Sequence, residues 1–86
     1  MVTIYVLESQ KEKIWYVGVT EDLNRRLKEH NAGKSKFTAT FCPWKIIYAK
    51  IAADFIEARK REKYLKSAAG KRFIKKWLNE KGSLPD

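Results

Sequence analysis

An α+β domain with the element order ββαβαα is what this sequence predicts, on three observations. Residues 3–8 (TIYVLE) and 14–19 (IWYVGV) are β-branched and aromatic runs joined by the polar segment SQKEK. A capping residue, two acids and a glycine bracket residues 20–33. Past Pro43, a further strand-like run precedes two helical stretches rich in Lys and Arg. At 86 residues the chain falls below the usual size of about 100 to 150, so it is expected to be a single domain, 1–86, with its core over about 2–80 and a frayed tail over 81–86.

The first two runs read as a β-hairpin, because β-branched and aromatic side chains suit a half-buried pleated surface and SQKEK supplies the turn. Thr20 followed by Glu21 and Asp22 is a helix start, and Gly33 closes a helix of about twelve residues. Residues 34–43 mix Lys, Thr and Pro without a helical period and read as a loop. A third strand follows over 44–51 (WKIIYAKI). Asp54 caps a second helix that runs to about Lys66, SAAG breaks it, and 71–80 form a third.

So small a fold buries only about 60% of the surface its unfolded chain exposes, which favours a shallow site and a large or polymeric substrate over a deep pocket. From that length no second, specificity-giving domain is expected. Of 19 Lys and Arg against 10 Asp and Glu, residues 1–33 hold five of each, so the whole net charge of +9 lies in residues 34–86. That asymmetry points to a polyanionic partner, nucleic acid first and an anionic membrane surface second, against the plainer reading of a solvated basic face. The membrane reading is the weakest, since Phe73, Ile74, Trp77 and Leu78 are needed for the core. The lone Cys42 excludes an internal disulfide, argues against structural zinc and reads as a buried neutral thiol. With no apolar run of about 18 residues, and with Glu8, Lys11, Glu12 and Lys13 near the start, neither a membrane span nor a secretory signal is expected, and the predicted location is cytoplasmic.

Several polar residues fall on faces that should be apolar. The first helix places Arg26 and His30 on one stripe with Leu23 and Leu27, while Arg25 points elsewhere. Taken singly, Arg26 can lay its stem on the core with its head in water, and His30 can simply be packed. On the second helix Glu62 stands among Phe55, Ala58 and Leu65. A carboxylate there needs a cation, either Arg26 or a local Lys, or a metal. If Tyr5 pairs directly with Tyr16 across the hairpin, both phenols share a sheet face, and Gly18 marks a bend or a close approach to the backbone. Together Tyr5, Tyr16, Arg26, His30 and Glu62 hold what a metal-assisted phosphodiester hydrolase requires. Arg binds a phosphate oxygen and offsets transition-state charge, a single carboxylate suffices for Mg2+, and a phenol or an imidazole activates water.

The same residues carry a resemblance. Thr3-Ile4-Tyr5 and Tyr16-Val17-Gly18, with ten residues between the tyrosines, are followed by Thr20-Glu21-Asp22-Leu23, Arg26-Leu27 and His30-Asn31. Pro43-Trp44, Glu57-Ala58, Arg61-Glu62-Lys63 and Leu65-Lys66 come next. This ordered set resembles the GIY-YIG nuclease superfamily, in particular its small bacterial members similar to the amino-terminal nuclease domain of the excision-repair incision subunit. The resemblance implies a three-stranded antiparallel sheet flanked by helices. It also implies Tyr5, Tyr16, Arg26 and His30 as catalytic residues and Glu62 as ligand of one divalent metal ion, Mg2+ or alternatively Mn2+. Thr3 replaces the first signature glycine, and Val19 stands where the repair branch carries a lysine.

The expected function is a metal-dependent DNA endonuclease connected with repair or recombination, RNA staying open as a substrate, with a separate specificity protein as a further partner. The rival is a non-catalytic nucleic-acid-binding module or nuclease subunit on the same fold. Lys71, Arg72, Lys75 and Lys76, and alternatively Lys34, Lys36 and Lys45, are the expected phosphate contacts.

Overall fold

The computed structural model describes residues 1–82, so 83–86 of the expected tail lie outside them. Strand β1 (Val2–Ser9) is central, with β2 (Trp15–Thr20) and β3 (Trp44–Ala52) antiparallel on either side, giving the order β2-β1-β3. Helices α1 (Leu23–Asn31) and α2 (Lys36–Thr40) follow β2, and α3 (Phe55–Leu65) and α4 (Ala68–Gly82) follow β3. The expected α+β order holds, with α2 added.

Because both faces of β1 are covered, Ile4, Tyr5, Val6 and Leu7 are all buried, which is why this strand lacks a clean polar alternation. Ile4 and Val6 join Tyr48, Ala58, Leu65 and Ile74 in the core beneath α3 and α4. Tyr5 and Leu7 join Trp44 on the opposite face, with Leu23 and Leu27 of α1. Phe73, Trp77 and Leu78 pack against the first of these cores, as their place on α4 requires.

Four local expectations are corrected. The α1 cap is Asp22, whose side chain accepts from Arg25 N at 3.1 Å, and Thr20 instead holds Asp22 N through its Oγ1. Gly33 does close the helix: at φ 79° it lets Lys34 N reach Glu29 O and its own N–H reach His30 O. The segment read as a loop over 34–43 contains α2, too short for a period to register in sequence and held instead by tertiary hydrogen bonds. SAAG does not interrupt the chain for long. Ser67 Oγ accepts from Gly70 N at 3.2 Å, so the expected breaker is the start of α4, which runs to Gly82 and orders the backbone of the first two expected tail residues. Cys42 is half-buried, not fully buried, its thiol donating to Ala39 O. Asp54 caps α3 as expected, accepting from Glu57 N at 2.9 Å.

Candidate active site

The hairpin register places Tyr5 opposite Gly18 and Leu7 opposite Tyr16. Tyr5 and Tyr16 are therefore not in the direct pairing that the SQKEK connection permits. The slip is two residues, one full period of a strand, so both phenols still lie on one face. Gly18 is the close approach its position implied: a Cβ there would stand 2.6 Å from Cζ of Tyr5. Gly18→Ala is expected to push that ring off its seat and cost about 1–3 kcal/mol by overpacking, read as a lower urea midpoint.

From β1 the Tyr5 hydroxyl reaches His30 Nε2 at 3.1 Å, and His30 Nδ1 lies 2.9 Å from Thr38 Oγ1. The Thr38 hydroxyl donates to Ser35 O at 3.4 Å and so accepts from His30 Nδ1–H, which leaves Nε2 to accept from Tyr5. Thr38 O in turn receives Trp44 Nε1–H at 2.8 Å, and Asn31 grips both backbone groups of Trp44. These contacts tie the end of α1 and all of α2 to the start of β3, so His30 is positioned by three elements. Tyr16 packs against the imidazole edge, ring centroids 4.8 Å apart.

Burial pushes the Tyr5 phenol above its usual value; the Arg26 guanidinium beside it offsets part of this, and Tyr16 and Glu62 add to it. Burial, then Arg26, lowers His30, with Glu29 opposing. At neutral pH the imidazole is thus neutral and able to accept a proton. The same depression makes the unfolded chain bind a proton more readily than the native one. Stability is then fully present above about pH 6.5 and is lost as pH falls from there toward the lower native value. Thermal melts from pH 7.5 to 5.5 are expected to fall for the wild type and to stay flatter over this window for His30→Gln.

Arg26 and Arg25 divide as the helix stripe predicted, with side chains 39% and 74% exposed. Arg26 Nη1 donates to Glu29 Oε1 at 3.0 Å while remaining beside Tyr5, and that bond to Arg26 holds the Glu29 carboxyl below its ordinary value. Glu62 projects from α3 with only 13% of its side chain exposed. Its two oxygens accept from Arg59 Nη1 at 2.9 Å and Lys66 Nζ at 3.1 Å, so its cations are local and not Arg26. Burial raises its carboxyl, but Arg59 and Lys66 outweigh that and the net shift is downward. Phe55, expected on the same buried stripe, is largely exposed.

Tyr16 opens onto a cleft of about 310 Å3 at the free edge of β2, lined also by Trp15, Phe37, Leu65, Lys66 and Lys71. Lys71 continues into a neighbouring cleft with Lys75, Lys13 and Trp15. The exposed Arg72 and Lys76 flank these on α4 without lining either cleft, and Lys34, Lys36 and Lys45 are exposed around α2 and the start of β3. Thr38 and Phe37 belong to this neighbourhood without standing out in the sequence, whereas Asn31 and Lys66 show there only as parts of the pairs His30-Asn31 and Leu65-Lys66.

Among the described residues no group of three or more His, Cys, Asp or Glu could hold a metal. A one-carboxylate Mg2+ site nevertheless fits, because Glu62 offers hard oxygen donors in a mostly buried position while its two cations are 65% and 57% exposed and free to swing off.

A three-stranded antiparallel sheet flanked by helices in this order fits a GIY-YIG nuclease-type domain. The chain belongs to that family, since the model of the GIY-YIG catalytic domain matches residues 1–79. It is similar to the UPF0213 protein of Streptococcus pneumoniae serotype 4 (44% identity over 64 residues, 73% of this chain) and to UPF0213 protein YazA of Bacillus subtilis (38% over 63 residues, 72% of this chain), and it covers 64% of the length of each. The solution NMR structure of UPF0213 protein BH0048 from Bacillus halodurans superposes with a TM-score of 0.54 at 30% identity, covering 90% of this chain and 85% of that one. Among the described residues no helix is long and apolar enough to cross a membrane.

Proposed function

We propose that this protein is a metal-dependent endonuclease that hydrolyses phosphodiester bonds in DNA at the β2 edge, in the service of repair or recombination. The observation that carries the reading is the hydrogen bond from Tyr5 to a neutral, buried His30, with Arg26 on the same helix as His30 and Tyr16 and Glu62 supplied by two further elements, β2 and α3. In the reaction a water oxygen forms a bond to phosphorus as the bond to the leaving oxygen breaks. Tyr16, the tyrosine that faces the cleft, orients the water, and the Tyr5–His30 pair takes up the proton it loses. Arg26 offsets the charge that grows on the non-bridging oxygens. Glu62 is the residue that would hold Mg2+ or Mn2+, which when bound supplies Lewis-acid stabilisation of the phosphate and leaving oxygen.

A second reading, a nucleic-acid-binding module without activity, is favoured by one observation: both Glu62 oxygens are engaged by cations. Labelled duplex, branched and single-stranded DNA, incubated with Mg2+ or Mn2+ and separately with chelator, separates the two. Cleavage that chelator stops supports the enzyme; saturable binding without cleavage under every condition supports the module.

The basic segment from Arg59 to Lys76 holds nine Lys and Arg against the single acid Glu62. Replacing Lys71, Lys75 and Lys76 by Gln is expected to weaken DNA binding irrespective of sequence and to flatten the plot of log affinity against log salt by about 0.9 for each phosphate no longer neutralised. Lys71 and Lys75, which line the clefts, should account for most of it. An unchanged slope would move the phosphate-binding role to Lys34, Lys36 and Lys45.

A further inference from the structure

We infer that the opposite edge of the sheet carries a second binding site, for a nucleoside phosphate. A cleft of about 350 Å3 lies where the end of β3 meets α3, and Lys50, Ile51, Lys60, Arg61 and Tyr64 form its wall. It lies at the β3 edge of the sheet, opposite the β2 edge where Tyr16 opens onto its cleft. Helix α3 borders both, with Arg61 and Tyr64 lining this cleft and Leu65 the other.

Arg61 is the reason to assign a ligand here. Its guanidinium carbon sits 4.9 Å from the ring centroids of both Tyr64 and Phe73, which fixes the plane of the group. Its Nε–H is buried with no hydrogen-bond partner among the described residues, and the contact from Nη2 to Tyr48 OH is long at 3.4 Å. Glu57, one turn back on α3, lines the same cleft yet forms no ion pair with it. A buried donor left unpaired is costly, and an arginine held flat with donors unspent is preorganised for the oxygens of an anion. Lys50 and Lys60, both exposed, add two further cations. Apart from Glu57 the rest of the wall is apolar or aromatic: Ile51 is 62% exposed and Tyr64 38%, bare surface beside three cations. Phosphate on the cations with a base or sugar against Tyr64 and Ile51 matches this wall, on which Glu57 is the one acid. The phosphate belongs either to a free mononucleotide or to a strand passing this edge.

The test is an NMR titration of the 15N-labelled protein without divalent metal, so that it reads binding alone and does not depend on cleavage at the β2 edge. The probes are inorganic phosphate, deoxyadenosine monophosphate and a ten-nucleotide oligodeoxythymidine, followed at the Arg61 side-chain Nε–Hε signal and the amides of Ile51 and Tyr64. Saturable shifts with the mononucleotide, stronger than with inorganic phosphate, identify a free nucleotide as the ligand. Shifts with the oligonucleotide alone identify a strand. In either case Lys50→Gln/Lys60→Gln, which leaves Arg61 and its aromatic packing in place, should weaken the response at least tenfold. The proposal is overturned if the Arg61 signal responds to none of the three, or if its response is the same in the double variant.

Discussion

Glu62→Gln is expected to melt near the wild type, to bind DNA, and to cut none of it. The substitution keeps the shape of the side chain and a polar head but removes the charge that a divalent ion needs. The structural cost is small because the partners it deserts, Arg59 and Lys66, are both well exposed and return to water. As exposed pairs one turn apart on a helix, the two are worth about 0.3–0.5 kcal/mol each, about 1 kcal/mol together, so Tm should fall by no more than about 8 °C. A protein that kept its activity in the folded fraction and lost stability instead would reduce Glu62 to a structural anchor for α3. Chelator inhibition together with the Glu62→Gln loss would tie the metal to this residue.

Arg26→Ala should lower the single-turnover rate by about 100- to 1000-fold with little change in DNA affinity, the signature of a group that acts in the transition state. Arg25→Ala should leave the rate within about twofold. The two residues are neighbours with the same charge, and both interact with Glu29, so a difference between them isolates position from charge. What separates them is the 100° turn of the helix, which sets Arg26 beside the Tyr5 phenol and Arg25 in solvent. Equal losses would mean that both act through general attraction for the DNA backbone.

How far the sequence reveals this arrangement differs from residue to residue. The hairpin, the Asp54 cap and the closing role of Gly33 are local properties of the chain, and they are legible because the same residues that signal them also perform them. The stripe on α1 likewise separates Arg26 from Arg25 by periodicity alone. The register of the hairpin is another matter. It is set by the turn, in which Ser9 Oγ accepts from the backbone N–H groups of both Lys11 and Glu12 while donating to Phe41 O, a long-range contact invisible in SQKEK. Only the two-residue period of a strand kept the inference about the tyrosines sound. Thr38 is least legible of all: it lies in a helix of five residues, and its role as the support of His30 comes from a hydrogen bond between elements that sequence distance does not suggest. Glu62 stood out for its place on an apolar stripe, yet its choice between Arg26, local cations and a metal depended on side-chain reach, which a sequence pattern does not encode.

A Mn2+ titration of the 15N-labelled protein tests, without relying on activity, whether Glu62 holds a divalent ion next to the tyrosines. Paramagnetic broadening should appear first, at substoichiometric Mn2+, at Glu62 and its neighbours on α3 and at Tyr5 and Tyr16, and it should vanish in Glu62→Gln. Broadening centred on other carboxylates such as Glu57 or Glu80, or a pattern around Glu62 that persists in the Glu62→Gln protein, would contradict the account.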